Sequence, residues 1–160
     1  MEKLQQIAKK ILIANPDAML SGSLAMQLRF IKTRREPKDI DIFLPDGCGF
    51  IKIDGMKDSI EHISQSRVVS GTIRQSYSIE GIQVDVMTPT DENFQVAWEF
   101  VNGLKLLTAE QILKFKLDYA FDNNYPEGQQ KHIEDIIFIL QNRLKNGIED
   151  YFDKNPFDLL

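Results

Sequence analysis

Two aspartates, Asp39 and Asp41, stand in the run Asp39-Ile40-Asp41-Ile42-Phe43-Leu44, alternating with apolar residues at the period of a half-buried strand. Residues two apart on a strand face the same side, so the two carboxylates project together. Like charges this close repel unless a cation lies between them. Mg²⁺ is the hard ion that takes oxygen ligands and is held by one or two carboxylates plus substrate phosphates. Upstream, Leu20-Ser21-Gly22-Ser23 places small residues at the entry to a helical segment. Gly22 lets the backbone approach a ligand closely, and N–H groups at a helix start favour anions. Downstream, a second strand pattern, Ile82-Gln83-Val84-Asp85-Val86-Met87, carries Asp85 as a third acid. Three acids can hold two metal ions, one activating an attacking oxygen and one supporting a leaving group. The chemistry indicated is metal-dependent phosphoryl transfer. Each part has a plain alternative: an acid pair on a solvated edge strand, or a tight turn with Ser23 as a helix N-cap. The ordered combination is more specific than any of its parts.

Other polar residues divide between site and surface. Arg29, Lys32, Arg34, Arg35 and Lys38 form a basic cluster within an acidic chain. The cluster is either a solvated helix face or a patch for a nucleic-acid acceptor beside the site. Lys131 and Asp135, four apart on a helix, form either an exposed ion pair or part of a site. His62 and His132 lack metal-ligand spacing and are expected at the surface. Cys48 has no base near it in sequence, which argues against a catalytic thiol. Trp98 and Phe100 are expected in the core rather than as a base-stacking platform.

The elements that must position these residues follow from periodicity. Leu4, Ile7, Ala8, Ile11 and Leu12 mark an amphipathic helix that stops at Asn15-Pro16. Ala18-Met19-Leu20 suits a buried strand, which Gly22 ends. Leu24, Leu28 and Ile31 mark a second helix with Arg29, Lys32 and Arg35 on its polar side, ending at or before Glu36 because Pro37 follows. Pro45 to Gly49 reads as a loop, and residues 50–68 are ambiguous between strand and helix. Thr72–Ile79 and Ile82–Met87 flank Glu80-Gly81 as a hairpin. Phe94–Val101 and Leu104–Leu107 flank Asn102-Gly103, a strong short-range hairpin signal. Thr108-Ala109-Glu110-Gln111 fits a capping box, followed by Ile112, Phe115, Tyr119 and Ala120 at helical spacing. Ile133, Ile136, Ile137 and Leu140 mark a further amphipathic helix, and a weak one is expected over Ile148–Phe152.

The fold class expected is α/β (α+β), a mixed sheet flanked by helices with a helical C-terminal part. The division expected is a core over 1–107 and a helical region over 108–160. A chain of 160 residues with 42% hydrophobic content can bury a real core. Its net charge of −5 argues against nonspecific nucleic-acid binding over the whole surface. One cysteine excludes an intrachain disulfide and a multi-cysteine zinc site. With no apolar run of membrane-spanning length and no signal-peptide core at Met1-Glu2-Lys3-Leu4, a cytoplasmic location is the expectation.

Gly22-Ser23, Asp39-Ile40-Asp41-Ile42 and Asp85, in this order, resemble the nucleotidyltransferase superfamily with its DNA polymerase β-like fold. Within it the chain is most similar to the small bacterial and phage proteins related to the AbiEii/MenT toxins of type IV toxin–antitoxin systems. There, as in Arg34-Arg35-Glu36-Pro37-Lys38-Asp39-Ile40-Asp41-Ile42-Phe43, an Arg-rich stretch leads into the acid pair. Lys116-Leu117 and Lys131-His132-Ile133-Glu134-Asp135-Ile136 look like the Lys elements of their C-terminal helices. Two departures stand out: the gap from Ser23 to Asp39 is long, and His132 stands where an acid is usual. The resemblance, over roughly residues 18–140, implies transfer of a nucleoside monophosphate from an NTP to an acceptor with release of pyrophosphate. It implies Ser21, Gly22 and Ser23 at the phosphates, and Asp39, Asp41 and Asp85 on two Mg²⁺ ions. Asp85 would also help to deprotonate the acceptor hydroxyl, and Lys116 or Lys131 would neutralise triphosphate charge. Lys116 is preferred to Lys114 on the resemblance alone. An RNA or tRNA end, a protein hydroxyl or a small alcohol would be the acceptor, with an antitoxin protein as partner. The competing expectations are a nucleotide-binding or regulatory module of the same fold without chemistry, and a metal-dependent phosphodiesterase or nuclease.

Overall fold

The computed structural model describes residues 1–45, 60–62, 67–69, 71–123 and 126–142. Cys48, the side chain of His62, the expected helix at Ile148–Phe152 and most of the ambiguous stretch 50–68 lie outside what it describes. The elements are α1 (Glu2–Ala14), β1 (Met19–Ser21), α2 (Gly22–Leu28), β2 (Asp39–Phe43), β3 (Ile60–His62), β4 (Arg67–Val69), β5 (Thr72–Ile79), β6 (Ile82–Pro89), β7 (Trp98–Val101), β8 (Leu104–Leu107), α3 (Ala109–Ala120) and α4 (Pro126–Gln141).

The strands form one mixed sheet in the order β3-β5-β6-β2-β1-β8-β7, with β4 also paired to β5. β2 runs parallel to β6 and antiparallel to β1, while β1 runs parallel to β8. The two acid-bearing strands are therefore adjacent and central, with Asp41 in register with Asp85. Both hairpins turn through residues in left-handed backbone, Glu80-Gly81 and Asn102-Gly103. Two consecutive positive φ values suit the right-handed strand twist of a two-residue hairpin.

One apolar cluster joins the sheet to α1, α2, α3 and α4. The five apolar residues read from the periodicity of α1 are all buried, and the helix ends where the Asn15 N–H and side chain both donate to the Ile11 carbonyl. At the start of α3, Thr108 accepts from the Gln111 N–H at 3.2 Å, as a capping box requires. The return bond is missing, because Gln111 Oε1 instead accepts from Ala97 N–H and fastens the entry to β7.

Beyond β7, which begins at Trp98 rather than Phe94, two helices differ from expectation. α2 ends seven residues after it begins, well before Glu36. Phe30 enters left-handed backbone, its N–H donates to Gln27 O, and the Ile31 N–H donates to Met26 O. This pairing closes a Schellman-type C-cap, with Ile31 buried after the turn. The long gap before Asp39 is thus an exit loop, not a longer helix. In α4 the buried stripe is Gly128, His132, Asp135 and Ile139, while Ile137 is exposed. The helix turns a partly polar face inward because α3 presents Lys116 to it.

Candidate active site

The acid pair lies on β2 with Asp39 and Asp41 half-buried, while the alternating Ile40 and Ile42 are fully buried. β1, antiparallel beside it, leads directly into Gly22, so the Ser21-Gly22-Ser23 turn sits against the acids. Gly22 has φ +66°, and a Cβ built there would overlap the Asp41 carboxylate. Only a glycine lets the turn approach this closely. Ser21, not Ser23, is the N-cap residue, and its side chain makes no cap bond.

One cavity gathers Ser21, Gly22, Ser23, Asp39, Asp41, Lys116 and Lys131, together with Arg74, Tyr119 and His132. A neighbouring cavity continues from Ser23, Asp39, Lys116 and Lys131 to Arg34, Arg35 and Lys38. The structure thus brings together every residue singled out as a candidate phosphate or metal contact except Asp85. Asp85 is fully buried behind Arg74. Its Oδ2 accepts from Arg74 Nη2 at 2.5 Å and from Gln83 Nε2 at 3.2 Å. Its Oδ1 accepts from the Ser76 hydroxyl and from Gln83 Nε2 at 3.1 Å. Arg74 Nη2 also lies 3.6 Å from Asp41 Oδ1.

The electrostatics follow from these contacts. Burial, and then Asp39 beside it, push the Asp41 carboxyl up to about 6 despite Arg74. Burial also opposes ionisation of Asp85, yet Arg74 and the Ser76 bond hold it below the usual carboxylate range. A divalent ion fits the Asp39–Asp41 pair: both acids open toward the cavity, and Asp41 is ionised at a penalty that a cation would remove. Asp85 instead has both oxygens accepting hydrogen bonds within the protein. Among the described residues no group of three or more His, Cys, Asp or Glu is placed to share one ion.

The helical side chains form a second network. Lys116 Nζ on α3 is buried and pairs with Asp135 Oδ2 on α4 at 3.1 Å. Asp135 also accepts from Arg34 Nε at 3.1 Å and lies 3.6 Å from Arg35. Of the two readings of Lys131 and Asp135, the ion pair between them is not formed: Asp135 pairs with Lys116, Arg34 and Arg35, and Lys131 is exposed at the cavity rim. Arg29 leaves the expected basic face: its side chain is buried and bonds Glu99 at 2.9 Å and the Ala25 carbonyl at 3.1 Å. His132 is not at the surface but buried, 5.3 Å from the Tyr119 ring. Burial, with Lys116 and Lys131 nearby, pushes it down to about 3. Trp98 and Phe100, expected in the core, are 42% and 68% exposed and pack edge-to-face on β7. They lie on an edge strand with one face to water.

Arg74 is the site residue that the sequence reading missed, although a signal for it existed. A two-residue turn at Glu80-Gly81 fixes the hairpin register and places Ser76 opposite Asp85. Arg74, two residues from Ser76, must then face the same side.

No protein-family model matches the chain, and no curated protein matches it in sequence. Among solved structures it is similar to TM1012 of Thermotoga maritima, provisionally assigned as a nucleotidyltransferase, at 17% identity and a TM-score of 0.57, over 83% of this chain and 94% of that one. It is also similar to ANT(2″)-Ia, solved in complex with adenylyl-2″-tobramycin, at 16% identity and a TM-score of 0.53, over 93% of this chain and 94% of that one. The chain therefore has the nucleotidyltransferase fold, a mixed sheet flanked by helices, with its acid pair on a central strand.

Proposed function

We propose that this chain is a Mg²⁺-dependent nucleotidyltransferase that moves a nucleoside monophosphate from an NTP to a hydroxyl acceptor and releases pyrophosphate. The observation that carries the reading is the meeting of Asp39, Asp41, the Ser21-Gly22-Ser23 turn, Lys116 and Lys131 around one cavity on this fold. Asp39 and Asp41 would hold the metal, which when bound supplies charge neutralisation at the phosphates. The turn sits close enough to the acids for its backbone and the Ser23 hydroxyl to meet the triphosphate. Lys131, and Arg34, Arg35 and Lys38 in the continuing cavity, supply positive charge along it. Positioning and charge stabilisation provide most of the catalysis in such transfers. Lys116, pinned by Asp135, holds a fixed charge at the junction of the two cavities. The acceptor reading is an RNA or tRNA end, a protein hydroxyl or a small alcohol. The resemblance to AbiEii/MenT proteins favours a toxin–antitoxin setting with an antitoxin partner.

A second reading, a nucleotide-binding module without chemistry, is favoured by one observation: Asp85 is fully engaged within the protein and is not free to accept a proton from an acceptor. Pyrophosphate release separates the two. With each NTP, Mg²⁺ and a total cell extract, wild type should release pyrophosphate and Asp41→Asn should not. NTP binding without release from wild type would establish the module instead.

A further inference from the structure

Among the described residues, Arg74 is the one cation in direct contact with two of the three strand acids. It bonds Asp85 at 2.5 Å and lies 3.6 Å from Asp41, and its own side chain is largely buried. It is rooted mid-strand in β5, between the β4 and β6 pairings, so its backbone is fixed. Asp85 does not reach the cavity, whereas Arg74 does. Three carboxylates carry three negative charges; with Arg74 the group carries two, the charge of one divalent ion. A second ion on Asp85 would have to break the guanidinium bond and the bonds from Ser76 and Gln83, and Mg²⁺ gives up its own water reluctantly. Displacing Arg74 would also strand a buried guanidinium without its partner, which is costly.

We propose that Arg74 is the resident cation of the second metal position, so that this site takes a single divalent ion, on Asp39 and Asp41, with Asp85 serving to hold the guanidinium. The proposal rests on the reading that the acid pair binds a divalent metal. It assigns Asp85 a positioning role, and it gives Arg74 a fixed charge beside the metal at the inner end of the cavity, where a phosphate group of the nucleotide can meet it. Arg presents a planar fork that suits phosphate as well as carboxylate.

The test counts ions. Mn²⁺ is titrated into wild type, Arg74→Lys and Arg74→Met, and free Mn²⁺ is read by electron paramagnetic resonance, with thermal unfolding recorded alongside. The expected result is one Mn²⁺ per chain for wild type and Arg74→Lys, and two for Arg74→Met, whose unfolding midpoint rises more with Mn²⁺ than that of wild type. An Arg74→Met chain that folds only when Mn²⁺ is added supports the same conclusion. Two ions on wild type or on Arg74→Lys, or one ion on folded Arg74→Met, overturn the proposal while leaving the metal reading intact. No ion on any of the three, with or without NTP, removes the metal reading and the proposal together.

Discussion

Asp41 meets two opposing demands. Its raised value, about 6, means that the folded chain holds the protonated form more readily than the unfolded chain does. Between the ordinary carboxylate value and 6 the folded state binds more protons, so stability falls as pH rises through that window. Asp41→Asn removes this penalty: its unfolding midpoint at pH 7.5 should exceed that of wild type by a few degrees, while Mn²⁺ binding is lost. A lower midpoint for the variant would show that its ion pair with Arg74 outweighs burial and repulsion from Asp39. Gly22 is constrained more sharply. Its positive φ and its contact with the Asp41 carboxylate leave no room for a side chain. Gly22→Ala should cost about 1–3 kcal/mol in urea unfolding and weaken Mg²⁺·NTP binding at least tenfold. Unchanged affinity in a folded variant would separate the turn from the nucleotide site.

At the scale of elements, α3 and α4 are joined by a buried charge pair rather than by an apolar seam alone. Removing one partner strands the other, so Asp135→Ala should destabilise the chain by about 3 kcal/mol. Replacing both, as Lys116→Met with Asp135→Leu, should recover most of that loss, and urea unfolding of the three variants checks it. The same two helices show where sequence reading fails. The buried face of α3 follows the apolar spacing Ile112, Phe115, Tyr119. In α4 the apolar spacing Ile133, Ile136, Ile137 and Leu140 misses the most buried stripe by part of a turn: Ile133, Ile136 and Leu140 are half-buried and Ile137 is exposed, because the inward face answers to Lys116 and Arg34, which arrive from distant sequence. The end of α2 is hidden for a different reason. Phe30 takes the left-handed C-cap position that glycine usually fills, so no residue type marks the stop. The hairpins, the central acid-bearing strand and the glycine turn were readable because their signals are local: alternation, Glu-Gly and Asn-Gly turns, and a glycine where backbone meets carboxylate. The pairing of Asp85 with Arg74 needed strand register, which follows from the turn length but not from any single motif.

Across the whole molecule, an acidic chain places Arg34, Arg35, Lys38 and Lys131 on the walls of one connected pair of cavities. That contrast focuses an anionic ligand on the acid pair and its metal. The helical network also gives the molecule an acid limit. His132 is held down to about 3 by burial and by Lys116 and Lys131, against an unfolded value of 6.5. In that window the unfolded chain binds more protons, so the contribution of His132 is complete above about 6.5 and is lost as pH falls toward 3. Asp41 works in the opposite sense below about 6, so the two contributions partly offset in wild type. A His132→Phe variant, which keeps only the Asp41 contribution, should lose less stability on acidification below about 6.5 than wild type does, and equal slopes would place the acid sensitivity elsewhere. No helix among the described residues is long and apolar enough to cross a membrane. The central claim, nucleotidyl transfer at Asp39 and Asp41, is tested most directly by incubating the chain with each α-³²P-labelled NTP, Mg²⁺ and a total cell extract, beside an Asp39→Asn/Asp41→Asn double variant that is shown to be folded. Label moving into an RNA, protein or small-molecule fraction with wild type alone is the predicted result, and the fraction names the acceptor class. Absence of transfer with every nucleotide, or equal transfer by the double variant, would contradict the account.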